Sequence, residues 1–123
     1  MVMGRVSRIE IEVLSSAAAL KGFAETWRKA GKGQNPVPRL AFGTLRELFS
    51  AVTEKRLELI RFVATHGALN TRQLSEALGR NYKNVYNDVA DLVELGLLAK
   101  ADDGRLSAPF DEIVIHATIR DAA

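Results

Sequence analysis

The chain has 123 residues, 47% hydrophobic and 26% charged, the size and balance of one compact soluble domain with its own core and no comfortable room for a second. It contains no cysteine, which excludes a disulfide framework and thiolate zinc ligation and suits a reducing cytoplasm. A net charge of +2 permits a nucleic-acid partner without demanding one, and the positive excess is N-terminal: residues 1 to 50 hold eight Lys/Arg against four Asp/Glu, residues 53 to 108 eight of each, and residues 109 to 123 one against three.

The first segment, Arg5-Val6-Ser7-Arg8-Ile9-Glu10-Ile11-Glu12, carries a charge every second or third residue, which neither a secretory apolar region nor a membrane span tolerates, so a cytoplasmic location is expected. Within it, Ile9, Ile11 and Val13 alternate with charges and predict a half-buried strand. Leu20, Phe23, Ala24 and Trp27 recur at helical spacing, with Lys21, Glu25 and Lys29 on another face. Gly31-Lys32-Gly33-Gln34-Asn35-Pro36-Val37-Pro38 ends that helix as a surface loop. Arg39-Leu40-Ala41-Phe42 reads as a short strand, and Thr44 as the cap of a helix whose apolar residues are Leu45, Leu48, Phe49 and Val52.

From Thr53 the pattern tightens. Leu57, Ile60, Val63 and Ala64 make one helical stripe closed by Gly67; Asn70 or Thr71 caps a second helix with Leu74, Ala77 and Leu78, closed by Gly79. A third helix begins at Asn81, turns Val85, Val89, Leu92 and Val93 inward and stops at Gly96, after which Leu97-Leu98-Ala99-Lys100 is extended. Asp102-Asp103-Gly104 separates that segment from Arg105-Leu106-Ser107, a hairpin signal. Pro109 interrupts the ladder, and residues 113 to 119 read as a final strand able to pair with the N-terminal one.

Three short helices and a hairpin bury one small core and leave the outer face of the third helix free for a major groove, which is about 12 Å wide. The expected fold class is therefore α+β: a winged helix-turn-helix, with a three-helix core plus β-hairpin wing over residues 53–123 and an N-terminal strand-helix extension over residues 1–52 for dimerisation or partner binding. Arg80, Asn81, Tyr82, Lys83, Asn84, Tyr86 and Asn87 crowd the opening of the third helix with groups that reach phosphates or base edges. Arg72, near the start of the second helix, is a candidate phosphate clamp, and Lys100 with Arg105 flanks the wing. Asp88, Asp91 and Glu94 share the sign of phosphate, so only the N-terminal half of the third helix is expected to enter a groove.

Thr53-Glu54-Lys55-Arg56-Leu57-Glu58-Leu59-Ile60, the run from Leu78 to Val89, Leu95-Gly96-Leu97 and Asp111-Glu112-Ile113 together resemble a group of short MarR-like winged-helix transcriptional regulators. The likeness covers roughly residues 53 to 115, and the first 50 residues resemble the group only in outline. Members are often encoded beside a small toxin and regarded as DNA-binding antitoxins. The resemblance thus implies an autoregulating repressor and admits a small toxin as partner. A homodimer reading a pseudo-palindrome is expected because two half-sites supply affinity that one short helix lacks.

Other readings are weaker. The same fold serves protein-only interaction modules. Arg28, Lys29 and Lys32 suit a solvated helix end, and Trp27 a core or dimer interface. His66 and His116 lie fifty residues apart without carboxylates at metal spacing, so no metal or cofactor is expected. Gly31-Lys32-Gly33 lacks the remaining features of a phosphate loop, Asp102 and Asp103 suit a turn, and no serine stands in a nucleophile context, which leaves an enzyme the least supported class.

Overall fold

The computed structural model describes residues 7–14 and 37–119. Among them the element order is β1 (Arg8–Val13), β2 (Arg39–Phe42), α1 (Leu45–Ala51), α2 (Glu54–His66), α3 (Thr71–Leu78), α4 (Tyr82–Glu94), β3 (Ala99–Lys100), β4 (Leu106–Ser107) and β5 (Glu112–His116), a mixed α+β fold. Two compact units result: one draws on residues 1–50 and 112–123, the other is Ala51–Asp111. The helix expected around Leu20 to Trp27, with Arg28, Lys29 and the glycine-lysine loop at 31–33, lies outside the described residues.

In the first unit the alternation of isoleucine with charge decides which side of β1 is buried. Ile9 and Ile11 are almost wholly removed from solvent. β1 is the middle strand of three and runs parallel to both neighbours, with Ile9 opposite Ile113, Ile11 opposite Ile115 and Leu40, and Val13 opposite Phe42. A register slip of one residue would move every one of these side chains to the wrong face. The alternate residues form a charged ladder: Arg39 reaches Glu12 at 2.9 Å and Glu10 at 3.7 Å, and His116 approaches Glu10 at 3.4 Å. The last strand ends at His116, short of the expected Ile119, because β1 offers few partners beyond that register. In α1, Thr44 caps as expected, its Oγ1 accepting from the Glu47 amide at 3.1 Å. Leu48 is fully buried, but Leu45 and Phe49 are 44% and 59% exposed: a helix of seven residues turns one narrow row inward, not the whole apolar set.

In the second unit each helix boundary is written in its caps. Thr53 accepts from the Arg56 amide at the start of α2, and Gly67, at φ 83°, closes it. Asn70 and Gln73 form a reciprocal capping box on α3, and Gly79 takes the left-handed conformation that ends it. Asn81 caps α4 by accepting from the Asn84 amide at 3.2 Å. The core is built from Leu59, Ile60 and Val63 of α2, Leu74 of α3, and Val85, Val89 and Leu92 of α4. Leu59 belongs to it although the expected stripe omits it, whereas Ala64 and Ala77 face solvent.

Leu97 and Leu98 are buried and not extended, since both their amides donate to the Leu92 carbonyl and wrap the chain around the end of α4. Strand β3 therefore holds only Ala99 and Lys100, paired antiparallel with β4. The turn between them closes on Gly104, at φ 87°, whose amide donates to the Ala101 carbonyl at 2.9 Å. The Leu106 amide donates to the Leu69 carbonyl, which ties the hairpin to the loop between α2 and α3.

Candidate nucleic-acid interface

Helical geometry sorts α4 into two sides. Val85, Val89 and Leu92 point inward, so Lys83, Asn87 and Ala90 form the opposite row, flanked by Tyr82 and Tyr86 along one edge and by Asn84 along the other. Every residue of this group is exposed, Tyr82 by 38% and Tyr86 by 49%.

Arg72 joins the group from α3. Its guanidinium carbon stands 4.5 Å from the centre of the Tyr82 ring, and that ring lies 6.0 Å from Tyr86, tilted by 44°. The Arg72 charge is thus seated on an aromatic face of an exposed residue, and a guanidinium stacked in this way keeps its in-plane donors available to an anionic oxygen. Among the described residues no ion pair engages Lys83 or Arg72.

Arg80 is placed differently. Its Nη2 donates to Oδ2 of Asp88 at 2.8 Å, and the side chain is only 22% exposed. Asp88 accepts on its other oxygen from Nε of Arg56 at 3.0 Å, while Nη2 of Arg56 donates to Asp91 at 2.6 Å and its Nη1 to the Ala51 carbonyl at 3.0 Å. Burial alone would lower the Arg56 pKa; hydrogen bonds to Asp88 and Asp91, with their charges, outweigh it and raise the guanidinium above its ordinary value. Two of the three acids that appear in sequence as a limit on phosphate approach, Asp88 and Asp91, are therefore matched by cations within the unit, whereas Glu94 is exposed and, among the described residues, in no ion pair. Arg56 is the residue that sequence reasoning omits. Its trace in sequence is the pair Asp88 and Asp91, one turn apart on a single helix, which one cation from another segment can bridge.

The remaining predicted residues divide between cap and hairpin. The Asn81 side-chain oxygen is occupied by capping. Lys100 and Arg105 are exposed on the hairpin, and Arg105 shares its charge with Asp103 at 3.6 Å. Among the described residues no hydrogen bond, ion pair or ring contact joins these two to the Arg72 and α4 group. A separate open cavity of about 320 Å³ lies between the end of α2 and β4, lined by Val63, Leu106 and Phe110 among others, and includes none of the predicted residues. Among the described residues no group of three or more His, Asp or Glu is placed to hold a metal ion, and no helix is long and apolar enough to cross a membrane.

No curated protein and no solved structure matches the chain. The sequence model of the HVO_A0114 family matches residues 51–115, the helices and hairpin just described together with most of β5 and more than half of the chain; the protein therefore belongs to the HVO_A0114 family.

Proposed function

We propose that the unit from Ala51 to Asp111 is a winged helix that binds double-stranded DNA, with α4 as the recognition helix, α3 crossing the phosphate backbone and the β3–β4 hairpin as the wing. One observation carries the reading: Lys83 and Asn87 project from the open face of α4, beside two exposed tyrosines and an Arg72 seated on one of them. That set supplies a cation for phosphate, an amide for a base edge and apolar rings for methyl groups or sugars. Neutralisation of Asp88 and Asp91 by Arg56 and Arg80 supports it further, by reducing repulsion along the same helix to that of Glu94 at its far end.

The protein is on this reading a MarR-like transcriptional regulator, a homodimeric autorepressor whose two recognition helices meet a pseudo-palindrome, with an antitoxin role if a small toxin accompanies it. Titrating the duplex upstream of its own gene with the full chain at two salt concentrations tests it. Affinity that falls steeply with salt supports DNA binding, and affinity absent at low salt rejects it.

A second reading, a winged-helix module that binds only protein, draws on one observation. Residues 51–111 carry eight Lys/Arg against nine Asp/Glu, and the hairpin turn presents Asp102 and Asp103 to solvent. The same titration separates the two, because a protein-only module has no salt-dependent affinity for a duplex.

A further inference from the structure

From the withdrawal of Arg80 into the Asp88 pair, and from the exposure of Asn87 on the open face of α4 with Tyr86 at its edge, we infer that the DNA half-site read by this protein is an A·T step, its adenine held by Asn87 and the thymine methyl packed against the Tyr86 ring. The inference rests on the DNA-binding reading above and names its substrate class.

Guanine is read best by a planar fork of donors directed at its two major-groove acceptors. Arg80 is the arginine nearest the start of α4, and its guanidinium is bound to Asp88 at 2.8 Å, which in turn is held by Arg56. Arg72 projects from α3, and its guanidinium is seated on the Tyr82 ring, 4.5 Å from the ring centre. The single Lys or Arg within α4 is Lys83, a point charge on a flexible stem that can donate to phosphate or to guanine but lacks the planar fork.

What remains on the open face favours the other base pair. A side-chain amide offers one donor and one acceptor in the spacing of adenine N6 and N7. Asn81 spends its oxygen on capping, so Asn87, on the central row, and Asn84, at its edge, are the amides open to a base. Thymine alone presents a methyl group in the major groove, and the exposed Tyr86 ring, 6.0 Å from that of Tyr82, is a flat apolar surface at the edge of the face whose central row holds Asn87. An adenine contact from the central row and a methyl contact from its edge fit the two strands of an A·T step.

The test is selection of duplexes from a randomised pool by the full chain, followed by titration of the recovered site with its thymines replaced by deoxyuridine, which deletes only the methyl. The expected result is half-sites with A·T at adjacent positions, an affinity loss of about fourfold for each contacted methyl removed, and no such loss in Tyr86→Ala. Asn87→Ala, at an exposed position, is the second variant and should lose the adenine preference while keeping its sensitivity to deoxyuridine. Half-sites dominated by G·C, or without base preference, overturn the inference but leave DNA binding standing, as does a deoxyuridine site bound as tightly as thymine. Recovery of no duplex at any salt concentration overturns both this inference and the reading beneath it.

Discussion

Arg56 on α2 donates from Nε to Oδ1 of Asp88 on α4 at 3.0 Å, joining residues 32 apart in sequence. Arg80 occupies the other oxygen of the same carboxylate, and Asp91 takes a second donor of Arg56, so two arginines and two aspartates form one network. Arg56, Arg80 and Asp88 expose 14%, 22% and 17% of their side chains, whereas Asp91 is 55% exposed. The first three are the members whose loss leaves a charge poorly solvated.

Asp88→Ala should therefore lower stability by about 2 kcal/mol, since both arginines lose a charged acceptor in a part-buried setting. Urea unfolding monitored by circular dichroism measures this. Asp91→Ala, at the exposed end of the network, should cost less than half as much. Equal losses would mean that the network does not depend on burial.

Tyr82 positions Arg72 through its ring face, so Tyr82→Phe should preserve duplex affinity and Tyr82→Ala should reduce it about two- to fivefold. Anisotropy titration with a labelled duplex reads the difference. Equal weakening by the two variants would indicate that the phenol hydroxyl is what matters.

Lys83→Ala and Arg72→Ala should each weaken binding across all duplex sequences and reduce the slope of log affinity against log salt by about 1. Arg105→Ala should move that slope less, because Asp103 already shares its charge. A larger change in Arg105→Ala would shift the main phosphate contact from α4 to the hairpin.

Gly79 sits at φ 65° with nothing within 4 Å of where a Cβ would stand. Replacement by alanine meets no steric obstacle, and the expected loss of about 1 kcal/mol is that of the left-handed backbone alone. Gly79→Asn should recover part of it, because asparagine tolerates this conformation. Urea midpoints of the two variants give the comparison, and a larger loss in Gly79→Asn would contradict the backbone explanation.

Asn70 holds α3 by a reciprocal pair of hydrogen bonds with Gln73, at 2.8 and 3.0 Å. Asn70→Ala should cost about 1 kcal/mol and Asn70→Asp, which keeps the acceptor, little. Matching losses would show that the cap contributes through something other than its side-chain oxygen.

The helices from Thr53 to Gly96 are legible in sequence because each is bounded by residues in direct succession: Thr53, Asn70 and Asn81 as caps, and Gly67, Gly79 and Gly96 at positive φ. The alternation that buries Ile9 and Ile11 is equally local, since strand periodicity needs no knowledge of the partner. Exposure of Tyr82, Lys83, Tyr86 and Asn87 follows from the same periodicity once Val85 and Val89 are assigned inward.

Packing decided what local pattern leaves open. Composition cannot say whether Arg80 faces outward or turns back to Asp88, because the answer depends on Arg56, which reaches that carboxylate only after α2 and α4 have met. Tertiary structure likewise set the parallel pairing of β1 with both β2 and β5, the burial of Leu97 and Leu98 around the Leu92 carbonyl, and the outward turn of Phe49. Caps and periodicity act over a few neighbouring residues, whereas ion pairs and strand order arise between segments far apart in the chain and exist only once those segments are side by side.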